Sequence, residues 1–170
     1  SSPRGVLALL CDSTNAERPG FTQSERSLSK TFDTIFTEHK NTRIIVATFA
    51  SNVDRVQQII NAADRFGRKV VVEGRSMVNT ITIAQELGYI SIPDNTLIDI
   101  EQLKNYPDEK TVLITTGSQG EAMAALSRMA SGTHRKVHIM PGDVVVISAT
   151  PIPGNEKAVS KVINELSIRG

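Results

Sequence analysis

Five short stretches with apolar centres end abruptly in hydroxyl, amide or glycine residues. They are Val6–Cys11, Ile44–Phe49, Lys69–Glu73, Thr111–Thr116 and Asp143–Ser148. Apolar runs of this length, without alternation, predict strands buried on both faces. Between them the apolar positions fall at helical spacing. Thr22-Gln23-Ser24-Glu25 has capping-box spacing and predicts a helix to about Glu38, with Leu28, Phe32, Ile35 and Phe36 inward. Ser51 or Asn52 caps a second helix whose inner stripe is Val53, Val56, Ile59, Ile60, Ala63 and Phe66, with Gly67 at its C′ position. Ser76 caps a third, with Met77, Ile81, Ala84 and Leu87 inward and Gly88 closing it. Ser118-Gln119-Gly120-Glu121 repeats the capping-box spacing before Met123, Leu126 and Met129, and a last helix turns Val159, Val162, Ile163 and Leu166 inward. The stretch from Tyr89 to Tyr106 is least regular, with a short strand expected at Thr96–Asp99 and a helical turn from Asp99 to Lys104.

Apolar strands alternating with amphipathic helices predict an α/β fold: a mainly parallel sheet of about five strands with helices on both faces. Right-handed crossovers then place every strand-to-helix loop on one edge. The residues at those ends are Asp12-Ser13-Thr14, Ser51-Asn52, Gly74-Arg75-Ser76, Gly117-Ser118-Gln119-Gly120 and Ser148-Ala149-Thr150. Open α/β sheets build their sites along such a rim.

Composition narrows this picture little. The 170 residues suit one domain, taken as residues 5–170, with residues 1–4 as linker or added residues. Net charge is +1, from 19 basic and 18 acidic residues, so any phosphate site must be local. One cysteine excludes an internal disulfide framework and fits a reducing cytoplasm, and Cys11 at the end of an apolar run reads as a buried thiol. No stretch approaches the ~18 apolar residues of a membrane helix, and no signal-peptide pattern is present.

The fourth loop carries the clearest chemistry. In Thr116-Gly117-Ser118-Gln119-Gly120-Glu121, glycines let the backbone approach a ligand, and the first helical turn offers unpaired N–H groups to an anion. Glycine and serine are equally ordinary cap and turn residues. Arg55 and Arg75 add a guanidinium to the second and third loops, able to fork onto phosphate or to serve as surface charges. A row of helix amino ends with arginines suits the phosphates of a nucleic acid strand, or one nucleotide. With no tryptophan and 4% aromatics, no base-stacking pattern is visible. His134 and His138 are four apart, but Val137 to Met140 reads as extended, which argues against a helical metal pair. There is no Walker A motif and no G-x-S-x-G. Asp12 is the one acid at a strand's carboxyl end on the rim. It serves either to cap the next turn or to orient a histidine that this chain does not supply at a recognisable position.

Leu9-Leu10-Cys11-Asp12-Ser13-Thr14-Asn15-Ala16-Glu17, followed by Pro19-Gly20-Phe21-Thr22 and Ser24-Glu25, resembles the first β-CASP motif of the bacterial ribonuclease J family. Ala50-Ser51-Asn52-Val53-Asp54-Arg55, Gly74-Arg75-Ser76-Met77, Thr115–Glu121 and Ile152-Pro153-Gly154-Asn155-Glu156 are similar to the same family. The resemblance spans Gly5 to Arg169 and rests on the motifs in order, each being weak alone. It implies a Rossmann-like β-CASP domain, inserted in the intact enzyme into a metallo-β-lactamase domain. The family implied are zinc-dependent ribonucleases, endonucleolytic and 5′-to-3′ exonucleolytic, acting in RNA maturation and decay in the cytoplasm.

Asp12 then takes the place of the first β-CASP acid, near the metal centre. The RNA path is expected along Ser13, Thr14, Ser51, Asn52, Arg55, Gly74, Arg75, Ser76 and the Gly117, Ser118, Gln119, Gly120, Glu121 loop. The family's zinc-ligand histidine and aspartate motif is absent, as are its two later histidine motifs. The expectation is therefore an excised insertion domain that holds no metal, with zinc ligands elsewhere in the parent polypeptide, and that does not cleave RNA alone. Expected partners are RNA, the metallo-β-lactamase domain and, in the parent, a second copy and an RNA-degradation complex, with no membrane. The competing readings are a stand-alone nucleotide or sugar-phosphate binding domain, and a pure assembly module.

Overall fold

A computed structural model of the chain describes residues 7–11, 32–48, 53–73, 75–115, 126, 128, 129, 131, 137–140 and 142–148. The strands are β1 (Leu7–Cys11), β2 (Ile44–Ala47), β3 (Lys69–Glu73), β4 (Leu97–Ile98), β5 (Thr111–Thr115) and β6 (Val144–Ser148). They form one six-stranded sheet in the order β1-β6-β2-β5-β3-β4. Every described pairing is parallel. The expected mainly parallel sheet is thus observed, with all its described pairings parallel, and β4, a two-residue edge strand, is its sixth described member.

Each expected strand lies where its apolar centre falls, and the differences are of one or two residues at the ends. Such ends depend on which carbonyl still finds a partner, which an apolar run does not encode. Burial on both faces explains the unbroken runs. Ile44, Val46, Val112, Ile114, Val144 and Val146 pack on one face, and Ile45, Ala47, Leu113, Val145 and Ile147 on the other.

Three helices cover the first face: α1, helical over residues 32–38, α2 (Val53–Arg65) and α3 (Arg75–Glu86). They contribute Phe32, Ile35 and Phe36 from α1, Val56, Ile59, Ile60 and Ala63 from α2, and Ile81 and Ala84 from α3. The opposite face is covered by the helical residues Leu126 and Met129, by Val137 and Ile139, and by Ile100 and Leu103 of a 3-10 segment, Ile100–Asn105. Helices on both faces are therefore observed. Leu28, Met77, Met123, the Thr22 cap and the last helix with Val159, Val162, Ile163 and Leu166 lie outside the described residues or side chains.

Two expectations for α3 are corrected. Leu87 is 65% exposed, not inward. The helix ends at Glu86, so Leu87 falls past the last residue that keeps the inward stripe in phase. The helix also begins at Arg75, which places Ser76 within the first turn rather than at the cap.

Both predicted C′ glycines are at work. Gly67 has φ +70° and Gly88 φ +81°. After α2, Arg68 N–H donates to Ala63 O at 2.8 Å and Gly67 N–H to Asp64 O at 3.1 Å. After α3, Tyr89 N–H donates to Ala84 O at 2.8 Å and Gly88 N–H to Gln85 O at 3.2 Å. This is the Schellman arrangement, in which a left-handed residue lets the chain satisfy two orphan carbonyls.

The irregular stretch after α3 is held by side chains that imitate a backbone pair. Gln57 Nε2 donates to Ser91 O at 2.8 Å, and Ser91 N–H donates to Gln57 Oε1 at 2.7 Å. Thr96 Oγ1 donates to Asp64 Oδ1 at 3.3 Å, and Lys69 Nζ donates to Asn95 O.

A buried arginine and a half-buried one lock the amino end of the sheet. Arg68, 3% exposed, donates to His39 O at 2.9 Å, Thr42 O at 2.8 Å and Thr111 O at 2.9 Å. Its guanidinium carbon also lies 5.5 Å from the centroid of the Phe36 ring. It thereby caps the end of α1 and ties it to the start of β5. Arg43 pairs with Asp143 at 2.5 Å and donates to His138 O at 2.5 Å. The same Asp143 Oδ2 accepts the Met140 N–H at 2.9 Å, closing the turn into β6.

Candidate functional site: the carboxyl rim

In a wholly parallel sheet every strand ends on the same edge. The register lines those ends up: Cys11 beside Ser148, Ile147 beside Ala47, Ala47 beside Thr115, and Thr115 beside Glu73. Thr48 N–H extends the ladder by one step, donating to Thr115 O at 3.1 Å. Five strand ends therefore adjoin along one rim, in the order β1, β6, β2, β5, β3. The five polar turn sequences begin at or just past these ends.

β5 differs from its two neighbours on that rim. Its neighbours β2 and β3 are followed by α2 and α3, which pack on one face. The helical residues that follow β5, Leu126 and Met129, pack on the other. Where adjacent strands send their helices to opposite faces, the helices part and leave a crevice above the strand ends. The Gly117-Ser118-Gln119-Gly120-Glu121 segment leaves β5 and so departs from the middle of this switch point.

The described residues place the candidate side chains only in part. Asp12, Ser13, Thr14, Ser51, Asn52, Gly74 and residues 117–121 lie outside them. Arg75 and Ser76 are placed in the backbone of the first turn of α3. Arg55 lies in the first turn of α2 and is 4% exposed. Its side chain is therefore buried rather than presented on the surface.

Three rim residues escaped the sequence reading. Thr48 and Thr115 are buried at the ends of β2 and β5, and Glu73, half-buried, is the register partner of Thr115. A threonine closing an apolar run looks like an ordinary strand residue. Only the strand order brings these together at one edge of the sheet.

Of the three histidines, His134 lies outside the described residues. Among the described residues no group of three or more His, Cys, Asp or Glu side chains is placed to hold a metal ion. His39 ends α1 and His138 lies in the exposed turn before β6. No described helix is long and apolar enough to cross a membrane.

Fold and rim together define an α/β domain whose described strands are all parallel and end along one edge. The family model for the β-CASP domain of ribonuclease J matches residues 41–166. Curated relatives agree. Ribonuclease J of Mycolicibacterium smegmatis is 51% identical over 163 residues, covering 96% of this chain and 29% of the relative. Ribonuclease J of Thermus thermophilus is 48% identical over 166 residues, covering 98% and 29%. Ribonuclease J2 of Bacillus subtilis is 46% identical over 166 residues, covering 98% and 30%. The chain belongs to the ribonuclease J β-CASP family and spans about 30% of the length of these relatives.

Proposed function

We propose that this chain is the RNA-binding β-CASP part of a ribonuclease J, and that the strand of RNA runs along the carboxyl rim. The observation that carries this reading is the alignment of five strand ends on one edge, with the Ser118 loop leaving from the switch point at β5. Helix amino ends carry partial positive charge, and arginine and serine side chains add donors, so a rim of this kind suits successive phosphates better than an isolated acid or base. Ser13, Thr14, Ser51, Asn52, Gly74, Arg75, Ser76 and Gly117–Glu121 are the residues assigned to it. Arg55 supports them from beneath.

In the parent polypeptide a metallo-β-lactamase domain would hold the zinc, which when bound would supply activation of water for phosphodiester hydrolysis. The residues of this chain bind and orient the RNA, and Asp12 lies at the edge that faces the metal half. The parent acts as an endonuclease and 5′-to-3′ exonuclease in cytoplasmic RNA maturation and decay. The 170-residue chain alone binds RNA without cleaving it.

The test is binding of a short 5′-monophosphorylated RNA to the wild-type chain and to Arg75→Ala and Ser118→Ala, at low and moderate salt. Loss of one phosphate contact weakens binding by about three- to tenfold. With two or three contacts in all, the logarithm of affinity falls against the logarithm of salt with a slope of about −1.5 to −2. Affinity unchanged in both variants would withdraw the assignment of these loops. A tight complex with a single mononucleotide, and no preference for a strand, would favour the nucleotide-binding alternative. Zinc-dependent cleavage by the chain alone would overturn its assignment as a binding half.

A further inference from the structure

We draw no further inference here: the strongest candidate, the exposed apolar surface of Ile83, Leu87 and Tyr89 at the carboxyl end of α3, carries nothing because nothing in the structure shows what covers it.

Discussion

Arg68→Ala lowers the unfolding free energy of this chain by about 3–5 kcal/mol. The side chain is a hub, not a surface charge. Its guanidinium satisfies carbonyls of His39, Thr42 and Thr111, which belong to the end of α1, the following turn and the first residue of β5. Removing it strands three partly or fully buried acceptors and empties the space beside the Phe36 ring. Burial lowers the Arg68 pKa, with the Glu109 carboxylate opposing the shift, and an arginine remains charged regardless. The cation is therefore held in place by carbonyl dipoles, which a lysine matches only in part because it lacks the fork. Arg68→Lys should recover some but not all of the loss. Urea unfolding at neutral pH measures both variants. A loss under about 1 kcal/mol for the alanine variant would show that water replaces the guanidinium and that the hub reading is wrong.

Arg43→Ala is the second large effect, at about 3–5 kcal/mol near neutral pH, because it leaves the Asp143 carboxylate buried without its partner. The pH dependence separates the two halves of the pair. Burial pushes the Asp143 carboxyl up from its ordinary 3.8, and the hydrogen bond and charge of Arg43 only partly pull it back. A carboxyl whose folded pKa is raised contributes stability below its unfolded pKa and loses it as pH rises through the folded value. In Arg43→Ala the opposing pull is gone, so the folded pKa rises further. The deficit of this variant therefore grows as pH climbs from about 4 toward neutrality.

Asp143→Asn behaves in the opposite sense. The wild-type chain loses the Asp143 contribution over that window and the asparagine variant does not, so its deficit is largest in acid and shrinks as pH rises. Unfolding free energies of the three proteins at several pH values from about 3.5 to 7 make the check. An Asp143→Asn deficit that grows with pH would mean that Arg43 stabilises the carboxylate by more than burial penalises it.

These two arginines show where local reading stops. The strands announced themselves through unbroken apolar runs, because a strand packed on both faces has no polar side to display. The α2 stripe at Val56, Ile59, Ile60 and Ala63, and the glycines at 67 and 88, were equally legible, since periodicity and left-handed backbone are local properties. Arg43, Arg55 and Arg68 carry no such mark. Whether an arginine head meets water or a carbonyl depends on what folds over it. For Arg68 the partners lie 26, 29 and 43 residues away. Leu87 erred for a related reason: its apolar character continues the stripe, but the helix stops one residue before it.

The sequence by itself determined the α/β class, the described sheet-facing residues of the first three helices other than Leu87, and the polar character of the strands' carboxyl ends. It also carried the ordered β-CASP motifs to which the family match corresponds. Strand order belonged to the tertiary structure alone. An apolar run states that a strand is buried but not beside which other strand, because neighbours are chosen by the packing of helices distant in the chain. Insertion of β5 between β2 and β3 is such a choice. It made similar strand ends unequal: β2 and β3 send their helices to one face, while the described helical residues after β5 pack on the other.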